Sequence, residues 1–115
     1  MTVSTTDIQI DAPCGVGEVR MIDEGTAERM AETFKVLSDP TRVRIISALL
    51  GQALCVHELA AALAMTQSAT SHQLAMLREM RLVATTKEGR HVIYRLDDEH
   101  IADLFQQGLE HIEHT

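Results

Sequence analysis

Three of the six histidines stand close together near the end of the sequence. His100, His111 and His114 fall within "HIADLFQQGLEHIEH", and Asp98 stands two residues before the first of them. Imidazole nitrogens and carboxylate oxygens are ligands that Zn²⁺ accepts in proteins. These four side chains are therefore candidate metal ligands, against the alternative of a solvated tail that happens to carry histidine.

Helical spacing determines which of these side chains can share one ion. At about 100° per residue, the three histidines lie along one edge of a helix, within about 60° of one another. That edge borders an apolar face made of Ile101, Phe105, Leu109 and Ile112. His111 and His114 can chelate one ion, but His100 lies about 16 Å from His111 along the axis, at 1.5 Å per residue.

An antiparallel helix from a second copy of the chain would close that gap. Two-fold symmetry would bring Asp98 and His100 of one chain opposite His111 and His114 of the other, forming two equivalent sites. Three imidazoles and one carboxylate suit four-coordinate Zn(II). Co(II) fits the same four ligands, and Ni(II) could recruit two more. The spacing predicts a metal site that spans a homodimer.

A second candidate metal site involves both cysteines. Cys55 and His57 stand near the start of a predicted helix, and Cys14 lies in the segment that precedes the first helix. Together they could hold zinc, with Glu58 or Glu18 as weaker candidates. The alternative for Cys55 is a small buried hydrophobic residue.

The elements that position these residues follow from periodicity and from capping signals, which include possible N-caps at Asp39, before Pro40, and at Thr66. Aliphatic residues dominate a 45% hydrophobic composition with only 3% aromatics, which favours packed helices in one domain of 115 residues. Residues 1–22 are predicted to form a flexible N-terminal arm, and residues 23–115 the folded domain. Within it, helices are predicted over 24–39, 40–50, 55–64, 66–80 and about 98–114, and two β-prone arms, 82–86 and 91–96, flank "KEG". The tight pair 55–64 and 66–80 has helix–turn–helix spacing.

Helix, helix, helix–turn–helix, β-hairpin, helix is the order of a winged helix–turn–helix, mainly α with a small β-hairpin. The second helix of the pair carries polar side chains in its first turns, which suits contacts to bases and phosphates in double-stranded DNA. The hairpin adds two basic side chains for phosphate or minor-groove contacts. The predicted DNA-binding residues are Gln67, Ser68, Thr70, Ser71, His72, Gln73, Lys87 and Arg90. His91 is expected to take a backbone hydrogen bond rather than to bind metal.

The charge distribution agrees with an anionic partner at this part of the chain. The net charge is −7, but residues 65–95 carry five basic against two acidic side chains, while residues 96–115 carry six acids and no Lys or Arg. A polyanion would therefore meet the third quarter of the chain. The sequence shows no secretory signal and no apolar run of the roughly 20 residues that a membrane span needs. We expect a cytoplasmic protein with reduced thiols and no membrane partner.

Four segments carry a resemblance to a known family. "LSDPTRVRII", "LCVHELA", "SATSHQLAMLREMRLV" and "KEGRHVIYRL" resemble the ArsR/SmtB family of metal-sensing transcriptional repressors, over roughly residues 25–114. The resemblance implies a homodimeric winged-helix repressor that leaves its operator DNA when a metal binds. It also matches the Asp-x-His and His-x-x-His pattern of members with a metal site on the last helix, at Asp98, His100, His111 and His114. The arm has one Cys and His57 stands where a second thiol could be, which departs from the thiol-rich members.

The predicted function is a metal-responsive repressor that binds operator DNA as a homodimer and is released by Zn(II). A thiol-based redox-sensing repressor that uses Cys14 and Cys55 is the alternative within DNA binding. A zinc-dependent hydrolase is the alternative from another class, and it lacks an evident general base beside the histidines. We therefore expect no enzymatic activity and no organic small-molecule substrate.

Overall fold

The computed structural model describes Gly15 and residues 17–114. Its helices are α1 (Glu24–Val36), α2 (Pro40–Ala48), α3 (Val56–Leu63), α4 (Gln67–Glu79) and α5 (Glu99–Glu113). Its strands are β1 (Leu54–Cys55), β2 (Val83–Glu88) and β3 (His91–Leu96). The predicted class, mainly α with a small β-hairpin in a winged helix–turn–helix, is confirmed. The division at residue 22 stays a prediction, because Cys14 and most of the arm lie outside the described residues.

Four of the helices begin at a side-chain cap. The side chains of Asp23, Asp39, Thr66 and Asp98 each accept a hydrogen bond from a backbone N–H in the first turn of α1, α2, α4 and α5, respectively. Such caps satisfy donors that have no partner within the helix. Pro40 then occupies the first turn of α2, where its missing N–H costs nothing. The predicted caps at Asp39 and Thr66 are confirmed.

The helix–turn–helix is formed by α3 and α4. Ala64 ends α3 in the left-handed conformation, with φ of 55°. This single left-handed residue reverses the chain direction, so that α4 begins three residues later, at Gln67. The tight spacing predicted for the pair is confirmed.

The wing differs from the predicted hairpin in two details. The strand pairing continues to Glu88 opposite His91, so the turn is Gly89 and Arg90 rather than "KEG", and Lys87 lies within β2. Gly89 has φ of +62°, a conformation that glycine adopts without strain and that a two-residue hairpin turn requires. A third strand, β1, pairs antiparallel with β3 and gives the sheet order β1-β3-β2.

The core lies between α2, α3, α4 and the base of the wing. Its buried side chains are Ile45, Ile46, Leu49, Leu59, Leu63, Leu74, Leu77, Leu82 and Val83. From α5, Ile101 and Phe105 pack against this cluster while staying partly exposed. The last helix is thus attached to the same core that holds α4. No helix among the described residues is both long and apolar enough to cross a membrane.

Candidate nucleic-acid interface and metal centre

The first turns of α4 present a polar surface to solvent. Gln67, Ser68, Ser71 and His72 are all exposed. They lie on the solvent side of the helix, whereas Leu74 and Leu77 on its other side are buried in the core. This arrangement fits a helix that inserts its N-terminal end into a DNA groove.

Thr70 does not belong to this surface, and its prediction as a DNA contact is wrong. Its side chain is 0% exposed, and its hydroxyl donates a hydrogen bond to the carbonyl oxygen of Thr66 at 2.8 Å. Thr70, Leu74 and Leu77 follow the i, i+4, i+7 spacing of one buried stripe. That spacing was visible in the sequence and could have removed Thr70 from the predicted interface.

Gln73 is half-buried and serves a neighbouring helix. The Nε of Arg42 donates to the Oε1 of Gln73 at 2.9 Å, and the Nη1 of Arg42 donates to the carbonyl oxygen of Val36 at 2.9 Å. The Nη2 of Arg42 lies 3.6 Å from the sulfur of Met76. Arg42 therefore ties α4 to the end of α1, a role that was not predicted because Gln73 is 31 residues away in the chain.

The wing and the start of α3 complete the same side of the molecule. Lys87 and Arg90 are exposed at and near the wing tip. A surface hollow of about 510 Å³ separates the wing from α4 and is lined in part by His57, Gln67 and Arg90. Across it, the Nε2 of Gln67 lies 2.6 Å from the Nδ1 of His57. Arg95, an exposed β3 side chain that was not predicted, donates to the hydroxyl of Thr86 at 2.8 Å.

The four predicted α5 ligands lie at the two ends of that helix. The Nδ1 of His100 is 3.6 Å from the Oδ1 of Asp98, and the two side chains are 91% and 51% exposed. The same Oδ1 accepts the backbone N–H of Ile101 at 3.2 Å, so Asp98 is also the N-cap of α5. His111 and His114 are exposed at the opposite end. Within the part of the chain that the structure describes, no three His, Cys, Asp or Glu side chains are grouped to hold a metal ion.

The second candidate site can be followed only in part, because Cys14 lies outside the described residues. Cys55 is half-buried at the N-cap of α3, and its backbone N–H donates to the Oε1 of Glu58 at 2.9 Å. This bond is the main reason that the pKa of Glu58 is held below its usual value. His57 is exposed beside it. His91 lies near Glu58, at the first position of β3, with its side chain exposed.

An apolar groove runs beside the edge of α5 that carries the predicted metal ligands. It has a volume of about 270 Å³ and lies between α1, α2 and α5. Its lining is almost wholly hydrophobic: Phe34, Leu37, Val43, Ile46, Ile101, Leu104, Phe105, Gly108, Leu109 and Ile112. Several of these large side chains, Phe34 and Leu104 among them, are exposed in the single chain. Apolar side chains that are exposed together in this way are candidates for an interaction surface.

A helix–turn–helix with a polar reading face and a basic wing defines the chain as a DNA-binding transcriptional regulator of the winged-helix class. Residues 39–85 match the model of the bacterial regulatory protein, arsR family. A transcriptional repressor SmtB homolog of Synechocystis is 45% identical over 85% of this chain and 73% of the relative. The chain belongs to the ArsR family, and the predicted resemblance is confirmed.

Two solved structures support the fold. The antimony-specific transcriptional repressor AntR superposes with a TM-score of 0.75 at 32% identity, over 89% of this chain and 96% of its own. The homodimeric winged helix-turn-helix DNA-binding domain of Mb0332 from Mycobacterium bovis gives a TM-score of 0.73 at 26% identity, over 84% and 91%. AntR is a transcriptional repressor and Mb0332 is a possible ArsR-family transcriptional regulator, which agrees with the expectation that the chain is not an enzyme.

Proposed function

We propose that the protein is a zinc-responsive transcriptional repressor that binds operator DNA in the cytoplasm as a homodimer and releases it when Zn(II) binds. Co(II) and Ni(II) are alternative metals that the same ligands accommodate. The observation that carries the proposal is the placement of Asp98 and His100 at one end of α5 and of His111 and His114 at the other. An arrangement of this kind needs a second chain to complete a site.

Operator binding would use the exposed polar face of α4 and the wing. Gln67, Ser68, Ser71 and His72 are the side chains available for base edges and phosphates, and Lys87 and Arg90 are available for phosphates. Gln73 is assigned mainly to positioning, since Arg42 already occupies its carbonyl oxygen.

Dimerisation would bury the apolar groove between α1, α2 and α5. Phe34, Leu104 and Ile112 are 48%, 43% and 69% exposed in the single chain. A second copy that lays its α5 across this groove would remove these apolar side chains from water, which is the dominant favourable term in association. The Mb0332 domain, which is similar in fold, is homodimeric, and this supports the proposal that the present chain also forms a homodimer.

The donor chemistry of the four α5 residues fits zinc. Three imidazoles and one carboxylate form a four-coordinate set of borderline hardness. The ligand atoms are accessible, since His100 is almost fully exposed and Asp98 is half exposed beside it. When bound, the metal would supply a cross-link between the two α5 helices.

Metal regulation would act through the position of the reading helices. Ile101 and Phe105 attach α5 to the core that also holds Leu74 and Leu77 of α4. Fixing the two α5 helices in one relative position therefore biases the distance between the two α4 helices of the dimer. A dimer reads successive major grooves only at about 34–36 Å between recognition helices, so a changed distance weakens operator binding.

A titration of operator DNA with and without stoichiometric Zn²⁺ tests the proposal. The unsubstituted protein should bind the operator without metal and release it with zinc, whereas His100→Ala should bind and fail to release. Arg90→Ala is the matched control, because it should weaken binding to every DNA sequence while keeping the zinc response. If zinc still releases the operator from the His100→Ala variant, but not from the variant with both Cys14→Ser and Cys55→Ser, regulation belongs to the second site. If an oxidant releases the operator and zinc does not, the protein is a redox sensor.

A further inference from the structure

Gly108 is an unexpected residue in the middle of α5. Glycine weakens a helix interior because its backbone loses more conformational freedom than that of any other residue. A Cβ added at Gly108 would meet nothing within 4 Å in the single chain, so the packing of one chain does not require glycine there. Yet Gly108 lines the apolar groove. Any requirement for glycine at this position must come from what covers the groove.

Leu104 lies one helical turn before Gly108 and lines the same groove. It is 43% exposed in the single chain. With His100 at 0°, Leu104 lies at about 40° and Gly108 at about 80° around the helix. Both therefore lie between the histidine edge and the apolar face.

The register of the proposed metal site relates these two residues. In an antiparallel helix pair, each residue forward on one helix is matched by one residue back on the other. If His100 faces His111 of the partner subunit, Leu104 comes opposite position 107. If Asp98 faces His114 of the partner subunit, Leu104 comes opposite position 108. Of the two positions, only Gly108 lines the groove.

We propose that Leu104 of each chain packs against Gly108 of its partner, and that the missing side chain sets the helix spacing at which one metal ion reaches both helices. The occupant of this part of the groove is thus α5 of a second copy. Gly108 is a positioning residue for the metal site, and Leu104 is the side chain that occupies the space it leaves. This inference rests on the proposed cross-chain site for its register.

Gly108→Ala distinguishes this proposal from a simple effect of helix propensity. Higher helix propensity alone would leave dimerisation and zinc affinity unchanged or stronger, whereas the proposed contact predicts that both become weaker. Alanine should raise the helicity and thermal stability of α5 in the single chain, where nothing obstructs its methyl group. If Leu104 of the partner subunit lies there, the same methyl group overfills a contact. Overpacking of that kind should weaken dimerisation of the metal-free protein by about tenfold, with a similar loss in zinc affinity. Gly108→Leu should prevent stable dimerisation.

The rescue variant is Gly108→Ala combined with Leu104→Ala, which removes the side chain that the new methyl group meets. The double variant should dimerise and bind zinc more tightly than the sum of the free-energy changes of the two single substitutions predicts. A double-mutant cycle measures this difference. Gly25→Ala, the same substitution in the first turn of α1, is the matched control and should leave both quantities unchanged. Its added Cβ would make only an ordinary contact of 3.7 Å with Asp23.

The measurements are sedimentation equilibrium without metal and competition with a chromophoric zinc chelator. If Gly108→Ala dimerises and binds zinc as tightly as the unsubstituted protein or more tightly, the proposal is overturned. Absence of coupling between positions 104 and 108 overturns the pairing as well. Failure of the proposed function would give a different result: zinc binding would be unchanged by His100→Ala or His111→Ala. In that case the dimerisation of the metal-free variants would still test the contact between Leu104 and Gly108.

Discussion

A mixed dimer that carries His100→Ala in one chain and His111→Ala in the other should bind half as much zinc at its α5 sites as the unsubstituted dimer, with near-native affinity. The reason is geometric. Two nitrogen ligands of one Zn²⁺, each about 2.0–2.1 Å from the metal, cannot be more than about 4 Å apart. His100 and His111 of one chain are about 16 Å apart along the helix. A site that uses both histidines must therefore draw on both chains. In the proposed arrangement, the two substitutions remove two ligands from one site and none from the other.

The assay needs a dimer with two different tags, purified on both, and a titration with Co²⁺ or Zn²⁺ against a chelator. The expected stoichiometry is one α5 site per mixed dimer against two in the unsubstituted dimer. The homodimers of each single variant are the controls, and each should have lost one ligand from both sites. Two equally weakened sites in the mixed dimer would mean that the ligands come from a single chain, and the cross-chain arrangement would be wrong.

Three further outcomes test the structure around the site. Thr70→Val should destabilise the fold by about 1 kcal/mol in urea unfolding, since it removes the hydrogen bond that the Thr70 hydroxyl donates to the Thr66 carbonyl oxygen, and should leave DNA contacts intact. Arg42→Met should lower the free energy of unfolding by about 1–3 kcal/mol and weaken operator binding, because the guanidinium donates to groups on α1 and α4. Asp23→Asn should remove a pH dependence of α1. The N–H of Thr26 lowers the pKa of Asp23 from its usual value of 3.8. The stabilisation that Asp23 gives α1 is therefore present above pH 3.8 and is lost as pH falls through the lower folded pKa. Amide exchange of α1, followed from about pH 7 down to well below pH 3.8, would detect this loss.

Local signals predicted most of the fold. Asp39 before Pro40, and Thr66 before a periodic apolar pattern, marked the starts of α2 and α4 because capping depends on residues within one turn. The hairpin was visible from β-prone arms around Gly89. The two-residue strand β1 was not, because two residues have no period and its pairing with β3 is made by residues far along the chain.

The candidate site was less predictable where it depends on packing. The histidine edge of α5 was predicted from angular spacing alone, and its role as a metal site stays a prediction. The hydrogen bonds of Arg42 did not, because they join parts of the chain that only the folded core brings together. The polar character of Thr70 suggested a surface residue, although its phase with Leu74 and Leu77 places it in the core. Helix phase was the better guide than residue type.

Any coupling between zinc binding and DNA binding must act in both directions. If zinc weakens operator binding by a given factor, bound operator weakens zinc binding by the same factor, because both follow from one coupling free energy. The structure offers a physical route, since Phe105 of α5 packs against the buried cluster to which Leu74 of α4 belongs, and close-packed cores transmit strain. Zinc affinity measured on the free dimer and on the operator-bound dimer should therefore differ by about 5- to 150-fold. Equal affinities on and off DNA would show that the α5 site binds zinc without regulating the operator.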